Sequence, residues 1–282
     1  MAFFRNSAVN LLNLHYGINA IALNGGAAFF FIYLLKAGVP VPGVLLSLAL
    51  ILLGRFAIRP LVTPMAIRWG LRTVVVTGTL LSALDYLVIA EVHGVGIALA
   101  LLIVIAALSS TLYWTGYHAW FATLGDDADR GQQIGVREAL AAVIGIASPL
   151  LTGWLLVAFG PHVAFGAAAV VSALAAAPLF FVGNVTVARE APGAFRAALP
   201  GLLLFAADGW IAAGNVFCWQ IALFVSLSES LLGYGGALAI AALAGAVSGM
   251  TLGRHIDAGH GRRAVWYALG LFALIVALRA SA

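Results

Sequence analysis

Charge is what this sequence has least of. Aspartate, glutamate, lysine and arginine make up 9% of its residues, against 63% hydrophobic residues and a mean hydropathy of +1.09. A water-soluble domain covers its surface with roughly 25% charged residues, and a chain this apolar folded in water would expose patches far larger than a soluble monomer tolerates. The scarcity excludes a soluble domain and leaves the lipid bilayer as the solvent. Cysteine is almost absent too: Cys218 stands alone, which excludes an intrachain disulfide. Metal-spaced His/Cys clusters, a phosphate-binding loop and a Ser/His/Asp set are missing from the sequence, so no metal and no cofactor is expected. The net charge of +4 does not point to nucleic acid, because the arginines lie singly between apolar runs and are not gathered on one face.

Apolar runs are what the chain has in abundance. A spanning helix needs about 20 mostly apolar residues. With glycine, proline and charge as punctuation, nine runs qualify: 13–35, 41–63, 73–90, 96–119, 134–159, 163–182, 200–227, 233–252 and a short ninth at 264–278. No small-residue cleavage site follows the first run at the usual distance, so it reads as a retained span and not a signal peptide. When the runs alternate across the membrane, twelve basic residues, Arg55, Arg59 and Arg72 among them, fall on one side, and only Lys36 and Arg279 on the other. By the positive-inside rule the N-terminus is cytoplasmic and the protein is multi-pass in the inner (plasma) membrane. The longest loop, 183–199, is cytoplasmic and polar. It divides a six-span block (1–182) from a partial second block (200–282), the layout of a carrier built from two parallel repeats.

Two loops repeat one another. Residues 63–72 read TPMAIRWGLR and residues 253–263 read GRHIDAGHGRR; both are short and Arg-rich, both lie on the cytoplasmic side, and Gly261 follows Gly70 by 191 positions. The same offset lays Asn24 over Asn215. In these residues the chain resembles the major facilitator superfamily, whose signature is a Gly-x-Leu-x-Asp-Arg-x-Gly-Arg-Arg type loop in both places. The second copy carries Gly253, Asp257, Gly261, Arg262 and Arg263 with one inserted residue. The first keeps Arg68, Gly70 and Arg72 but has Ile67 in the place of the acid and Thr63 in the place of a glycine, which leaves a charge-relay latch through that loop without the family's acid. Gly145, Ser148, Pro149 and Gly153 in the fifth run resemble the Gly-Pro-rich element of the family's exporters, although a plain proline kink accounts for them as well. The resemblance implies an all-α integral membrane bundle in which about nine of twelve transmembrane helices are present, so a C-terminally truncated chain is expected. It further implies a secondary active transporter, monomeric when full length, that moves a small organic solute by alternating access. Its partners are then that solute, protons and the lipid bilayer, with efflux favoured over uptake.

In that fold the first helix of each three-helix repeat lines the central cavity and the third faces lipid. Polarity follows the rule: the first run holds His15, Tyr16, Asn19 and Asn24, the fourth Ser109 to Thr111, Tyr113, Trp114, Tyr117 and His118, and the seventh Asp208, Asn215, Trp219 and Gln220, while the sixth and ninth are nearly pure hydrocarbon. At about 100° per residue, Asp208, Asn215 and Trp219 share one arc of their helix, as do Ser110, Tyr113, Trp114 and Tyr117. The expected lining is Asn19, Asn24, Ser110, Tyr113, Trp114, Tyr117, Asn215, Trp219 and Gln220; an interfacial aromatic belt is the alternative for the cluster in the fourth run. Asp208 is the expected proton-coupling residue, because a charge at mid-membrane costs about 2.5–3.5 kcal/mol on insertion scales and needs a reason. A structural hydrogen bond or a cationic substrate would also account for it. Asp85 is expected to snorkel outward with Ser82 as a donor, and Glu138 to pair with Arg137. No arginine lies deep in the runs expected to line the cavity, which favours an amphipathic or cationic solute over a strongly anionic one. The rival reading is a membrane-embedded enzyme, since Asp126, Asp127 and Asp129 suggest the Mg²⁺-binding loop of a prenyltransferase, but the cluster is single and wrongly spaced. A non-transporting scramblase or receptor-like member is the third.

Overall fold

The computed structural model describes residues 6–125, 130–189, 192–255 and 259–280, and within these the side chains of 130–136, 215, 216, 250, 252–255 and 280 lie outside the description. Among the described residues all regular structure is helical: α1 (Ser7–Gly25), α2 (Phe30–Lys36), α3 (Val41–Ala90), α4 (Ile97–Leu124), α5 (Arg130–Ala158), α6 (Pro161–Ala175), α7 (Ala194–Ala212), α8 (Trp219–Ser226), α9 (Leu231–His255) and α10 (Gly261–Ala280). A 3-10 turn, Ala27–Phe29, welds α1 and α2 into one crossing, and a π-helical segment, Ala213–Cys218, does the same for α7 and α8. Asn6 starts α1 by accepting the Val9 N–H at 3.1 Å, the usual way an amide satisfies an orphan donor of the first turn.

Eight described helices are long and apolar enough to cross a membrane. The 50-residue α3 is two of the expected runs in one element, because Gly70 sits at φ 80°, ψ 164° and breaks it into arms 41–69 and 71–90. Arg55 and Asp85, thirty residues apart, line the same cavity. A straight helix would hold them about 45 Å apart, so the chain turns back at Gly70. The loop expected over 63–72 is therefore one residue long. Helix continues through Pro60 and Pro64 to Trp69 and restarts at Leu71. One consequence is a correction to the charge count: Arg55, assigned above to the cytoplasmic flank, lies fourteen residues from either end of its arm, at mid-helix. α7 also begins earlier than expected, at Ala194, which shortens the link between the two blocks.

Lipid supplies no hydrophobic drive between helices, so close packing rests on small residues that let backbones approach. A Cβ on Gly78 would stand 2.5 Å from the backbone nitrogen of Tyr113, one on Gly116 2.9 Å from Val74 and Val75, and one on Gly54 2.9 Å from Ala107. These three glycines seat α4 between both arms of α3. Gly25 of α1 is pressed in the same way on Thr152 of α5. Gly153 and Gly235 bring the backbones of α5 and α9 together at the carbonyls of Leu231 and Pro149. Tightness is uneven along the chain. Half of the best spanning window of Ser7–Lys36 is buried, whereas α7 buries nothing and α10 almost nothing.

The turn at Gly70 is clasped by the strand of chain that leaves α6. Asn184 donates from Nδ2 to the Trp69 carbonyl at 3.0 Å and accepts the Arg72 N–H on Oδ1 at 3.1 Å. The Leu71 N–H donates to the Val185 carbonyl at 2.7 Å, and Trp120 Nε1–H to that of Gly183 at 3.2 Å. A side chain at Gly70 would run into Asn184 as well as adopt backbone angles that only glycine tolerates. Gly70→Ala is expected to cost about 1–3 kcal/mol and to lower the heating midpoint of detergent-purified protein, read by size exclusion after a temperature ramp. An unchanged midpoint would refute the clasp.

Candidate functional site

A cavity of about 320 Å³ opens between α1, α2, both arms of α3, and α4. Asn19, Phe30 and Phe31 line it from the first crossing, Leu48, Ile51, Leu52 and Arg55 from the first arm of α3, and Ser82, Asp85 and Tyr86 from the second. α4 contributes Ala106, Ser109, Ser110, Tyr113 and Trp114, and Phe217 faces it from the π-helical segment of the second block. Phe217 meets Phe31 edge-on with centroids 5.7 Å apart. A second hollow of about 240 Å³ adjoins it, sharing Leu52, Arg55 and Trp114 and adding Arg59, Thr111 and Thr115.

The polar groups of the wall are held in set directions. His15 is fully buried, with Nδ1 2.7 Å from the Ala175 carbonyl and Nε2 3.2 Å from the Tyr113 hydroxyl. A carbonyl can only accept, so Nδ1 carries the proton of the neutral ring and Nε2 accepts from Tyr113. Tyr113 in turn stacks on Tyr117 (5.7 Å) and Tyr117 on Tyr16 (5.5 Å). Ser110 donates to the Ala106 carbonyl at 2.5 Å, Ser82 to that of Gly78 at 3.0 Å, and Tyr86 to that of Ala22 at 3.0 Å. Ser109 donates to Asp85 Oδ2 at 2.5 Å; Asp85 is 8% exposed, and its Oδ1 is buried without a hydrogen-bond partner.

Four of the expected residues, Asn19, Ser110, Tyr113 and Trp114, meet in this cavity. Of the others, those whose side chains are described, Asn24, Tyr117, Trp219 and Gln220, do not line it. Asn24 donates from Nδ2 back to the Ala20 carbonyl at 2.9 Å and lies beside Gly145 of α5. Tyr117 is buried inside the aromatic stack. Gln220 accepts from the Tyr234 hydroxyl at 3.0 Å, and the Trp219 ring lies 4.5 Å from the Arg279 guanidinium. Asp208 is exposed on α7. Of the gate-loop residues, Arg68 is exposed, its guanidinium 5.9 Å from the Trp69 ring, and Arg72 donates from Nη1 to the Phe180 and Val182 carbonyls, each at 3.4 Å. Gly261 opens α10, with Arg262 and Arg263 exposed beside His260 and Trp266. The side-chain surroundings of Asn215 and Gly253 lie outside the described residues, as do Asp257, Asp126, Asp127 and Asp129 altogether. Glu138 pairs with Arg137 at 2.6 Å, as expected.

Two residues change their meaning. Asp85 does not snorkel outward: Ser82 is occupied with Gly78, and Ser109 of the next helix is the donor instead. Arg55 reaches the cavity, because a glycine turn and not a loop ends its arm. The signal for the first was a serine in the fourth run opposite a lone carboxylate in the third.

The Tyr113→Phe variant deletes the donor to His15 and leaves Nε2 buried and unpaired, a loss of about 1–3 kcal/mol. Its heating midpoint is expected to fall by several degrees relative to the unsubstituted protein; equal midpoints would contradict the bond.

Comparison with known proteins adds three findings. A family model described as Major Facilitator Superfamily matches residues 14–280. No curated protein matches. Among solved structures, the fold is similar to that of the POT family transporter PepTSo, crystallised in meso, at a TM-score of 0.57 and 14% identity. The match covers 86% of this chain and 53% of that one, so the chain spans about half the length of the transporter it resembles.

Proposed function

The chain belongs to the Major Facilitator Superfamily, and from that premise we propose that it is a secondary active transporter, which moves a small organic solute by alternating access and couples that movement to protons. The observation that carries this reading is the cavity itself. Polar tips from Asn19, Ser110, Tyr113 and Asp85 converge in a chain otherwise built of hydrocarbon, with the first block as one wall and Phe217 of the second as the other. Groups of this kind are expensive inside a membrane and mark solute pathways.

Alternation needs two bodies that can move against each other. The α5–α9 contact supports a boundary between two such bodies, since Gly153 against Leu231 and Gly235 against Pro149 bring the two blocks together backbone to backbone. At one end Lys36 and Glu229 bridge the blocks by an ion pair, at 3.3 Å and with side chains 39% and 55% exposed. Such a pair is worth at most about 1 kcal/mol and breaks easily. With Arg55 moved to mid-helix, the remaining asymmetry of eleven basic residues to two supports a cytoplasmic N-terminus in the inner membrane. The resemblance of the Gly145–Gly153 element to that of exporters supports efflux, and Asp208, the carboxylate of the seventh crossing, is the proposed proton-coupling group. The working unit is taken as a monomer.

Solute-driven currents across proteoliposomes under an imposed proton gradient test the reading with a panel of small organic solutes. A solute-dependent current is expected, lowered about tenfold, the equivalent of 1.4 kcal/mol of binding, by Trp114→Ala. Asp208→Asn is expected to abolish the proton dependence and leave membrane insertion intact; undiminished coupling would remove Asp208 from the mechanism. Lipid flipping without solute flux would replace the carrier by a scramblase, and Mg²⁺-dependent consumption of a prenyl pyrophosphate would replace it by an enzyme.

A further inference from the structure

Two opposite charges face the cavity without meeting. Arg55 and Asp85 both line it, and no ion pair joins them among the described residues. Each lies fifteen residues from the turn at Gly70, on opposite arms of α3. At 1.5 Å per residue, both sit about 22 Å from that turn and so at the same depth in the membrane. A lone arginine at the centre of a spanning helix costs about 2.5–3.5 kcal/mol on insertion scales, and ionisable residues within the membrane ordinarily pair with one another. Here they do not.

The surroundings of Asp85 sharpen the point. Ser109 holds Oδ2, while Oδ1 is buried with no partner, and the nearby donors are all committed elsewhere: Ser82 to Gly78, Ser110 to Ala106, Tyr86 to Ala22 and Tyr113 to His15. A buried acceptor left unpaired in a native fold calls for an explanation. Arg55 offers the complementary half, a planar fork of donors suited to a carboxylate. Between and around them the wall is apolar and aromatic, with Phe30, Phe31, Trp114 and Phe217. A volume near 320 Å³ is at the small end for ligand pockets.

We propose that the cavity binds small zwitterionic solutes, with the ammonium group received by Asp85 and Ser109, the carboxylate by Arg55, and a hydrocarbon body against the aromatic wall. This deepens the carrier reading and rests on it for the cavity's role. It also replaces the expectation of a cationic solute, which assumed that no arginine reaches the site. A zwitterion relieves both stranded charges at once, whereas an amine or a carboxylate relieves one and leaves the other buried beside it.

The purified chain in lipid nanodiscs, titrated calorimetrically against empty nanodiscs as blank, separates these cases. The probes are 4-aminobutanoate, 6-aminohexanoate and 8-aminooctanoate, with the plain amine and plain carboxylate of each chain length as controls. One of the three zwitterions is expected to bind at least about tenfold tighter than both of its matched controls. Asp85→Asn, which keeps the shape and the acceptor for Ser109, is expected to weaken the zwitterion and the amine and to leave the carboxylate unchanged. Arg55→Gln is expected to weaken the zwitterion and the carboxylate and to leave the amine unchanged. If Asp85→Asn elutes as aggregate, Asp85→Glu takes its place; it keeps the charge and is expected to keep the zwitterion preference with a shifted favoured length. A matched control that binds as tightly as its zwitterion, a variant without effect on the zwitterion, or no zwitterion binding at all overturns the proposal. Because the readout is binding, its failure leaves solute flux standing, and a chain that binds zwitterions but drives no current overturns the carrier reading alone.

Discussion

The approach of Gly78 to the backbone of Tyr113 is the contact on which the rest of the site depends. In lipid, helices gain nothing from burying apolar side chains against each other that they do not already gain from the solvent. Association therefore depends on how closely backbones can come, and a glycine at the crossing decides that. With no Cβ at Gly78, the second arm of α3 lies against α4 closely enough for Ser109 to reach Asp85 at 2.5 Å, one turn away from the contact on α4. The same seating turns Tyr113 toward His15 and lets the Tyr113–Tyr117–Tyr16 stack form behind it. Gly54 and Gly116 repeat the device on either side, so the cavity wall is positioned by three missing side chains.

Around that wall the molecule is packed unevenly. Two aromatic-rich clusters are buried, one about Phe29, Tyr33 and Phe165 that takes in Phe224 and Tyr234 of the second block, and the other about Tyr113, Tyr117 and Trp120 within the first. The second block touches it through fewer elements. α9 lies along α5, and the buried Tyr234 meets Phe29 and Phe224 edge-on while its hydroxyl donates to Gln220. α7 and α10 remain exposed.

Charge is where the two levels of description diverge most. Each basic residue of a membrane protein has two possible readings, a topological marker at the interface or a functional group at depth, and distance along the helix separates them. Hydropathy ends the second run near Thr63, where prolines and arginines cluster, and so assigns Arg55 to the flank. The helix itself ignores Pro60 and Pro64, because lipid offers its backbone no better partner than helix hydrogen bonds. It runs to Trp69 and carries Arg55 to its midpoint. Asp85 is misjudged for a related reason: its nearest serine in sequence, Ser82, is not its donor, and the true donor lies on another helix.

Much of the fold was legible from residue order alone. The solvent, the crossings and the family follow from properties that are local along the chain, since apolar length and helical backbone pairing are both satisfied within a single segment. Helical periodicity likewise placed Ser110, Tyr113 and Trp114 on one face, and the polarity of the first run singled out Asn19, which does meet them. Tertiary structure alone decided which faces meet: that Asn24 and Tyr117 turn into contacts with other helices, that the third crossing contributes Asp85, and that Arg55 stands opposite it at the same depth. Those facts depend on the rotation of each helix about its axis and on one glycine turn. Nothing in the polarity of a single segment encodes the rotation of its neighbour.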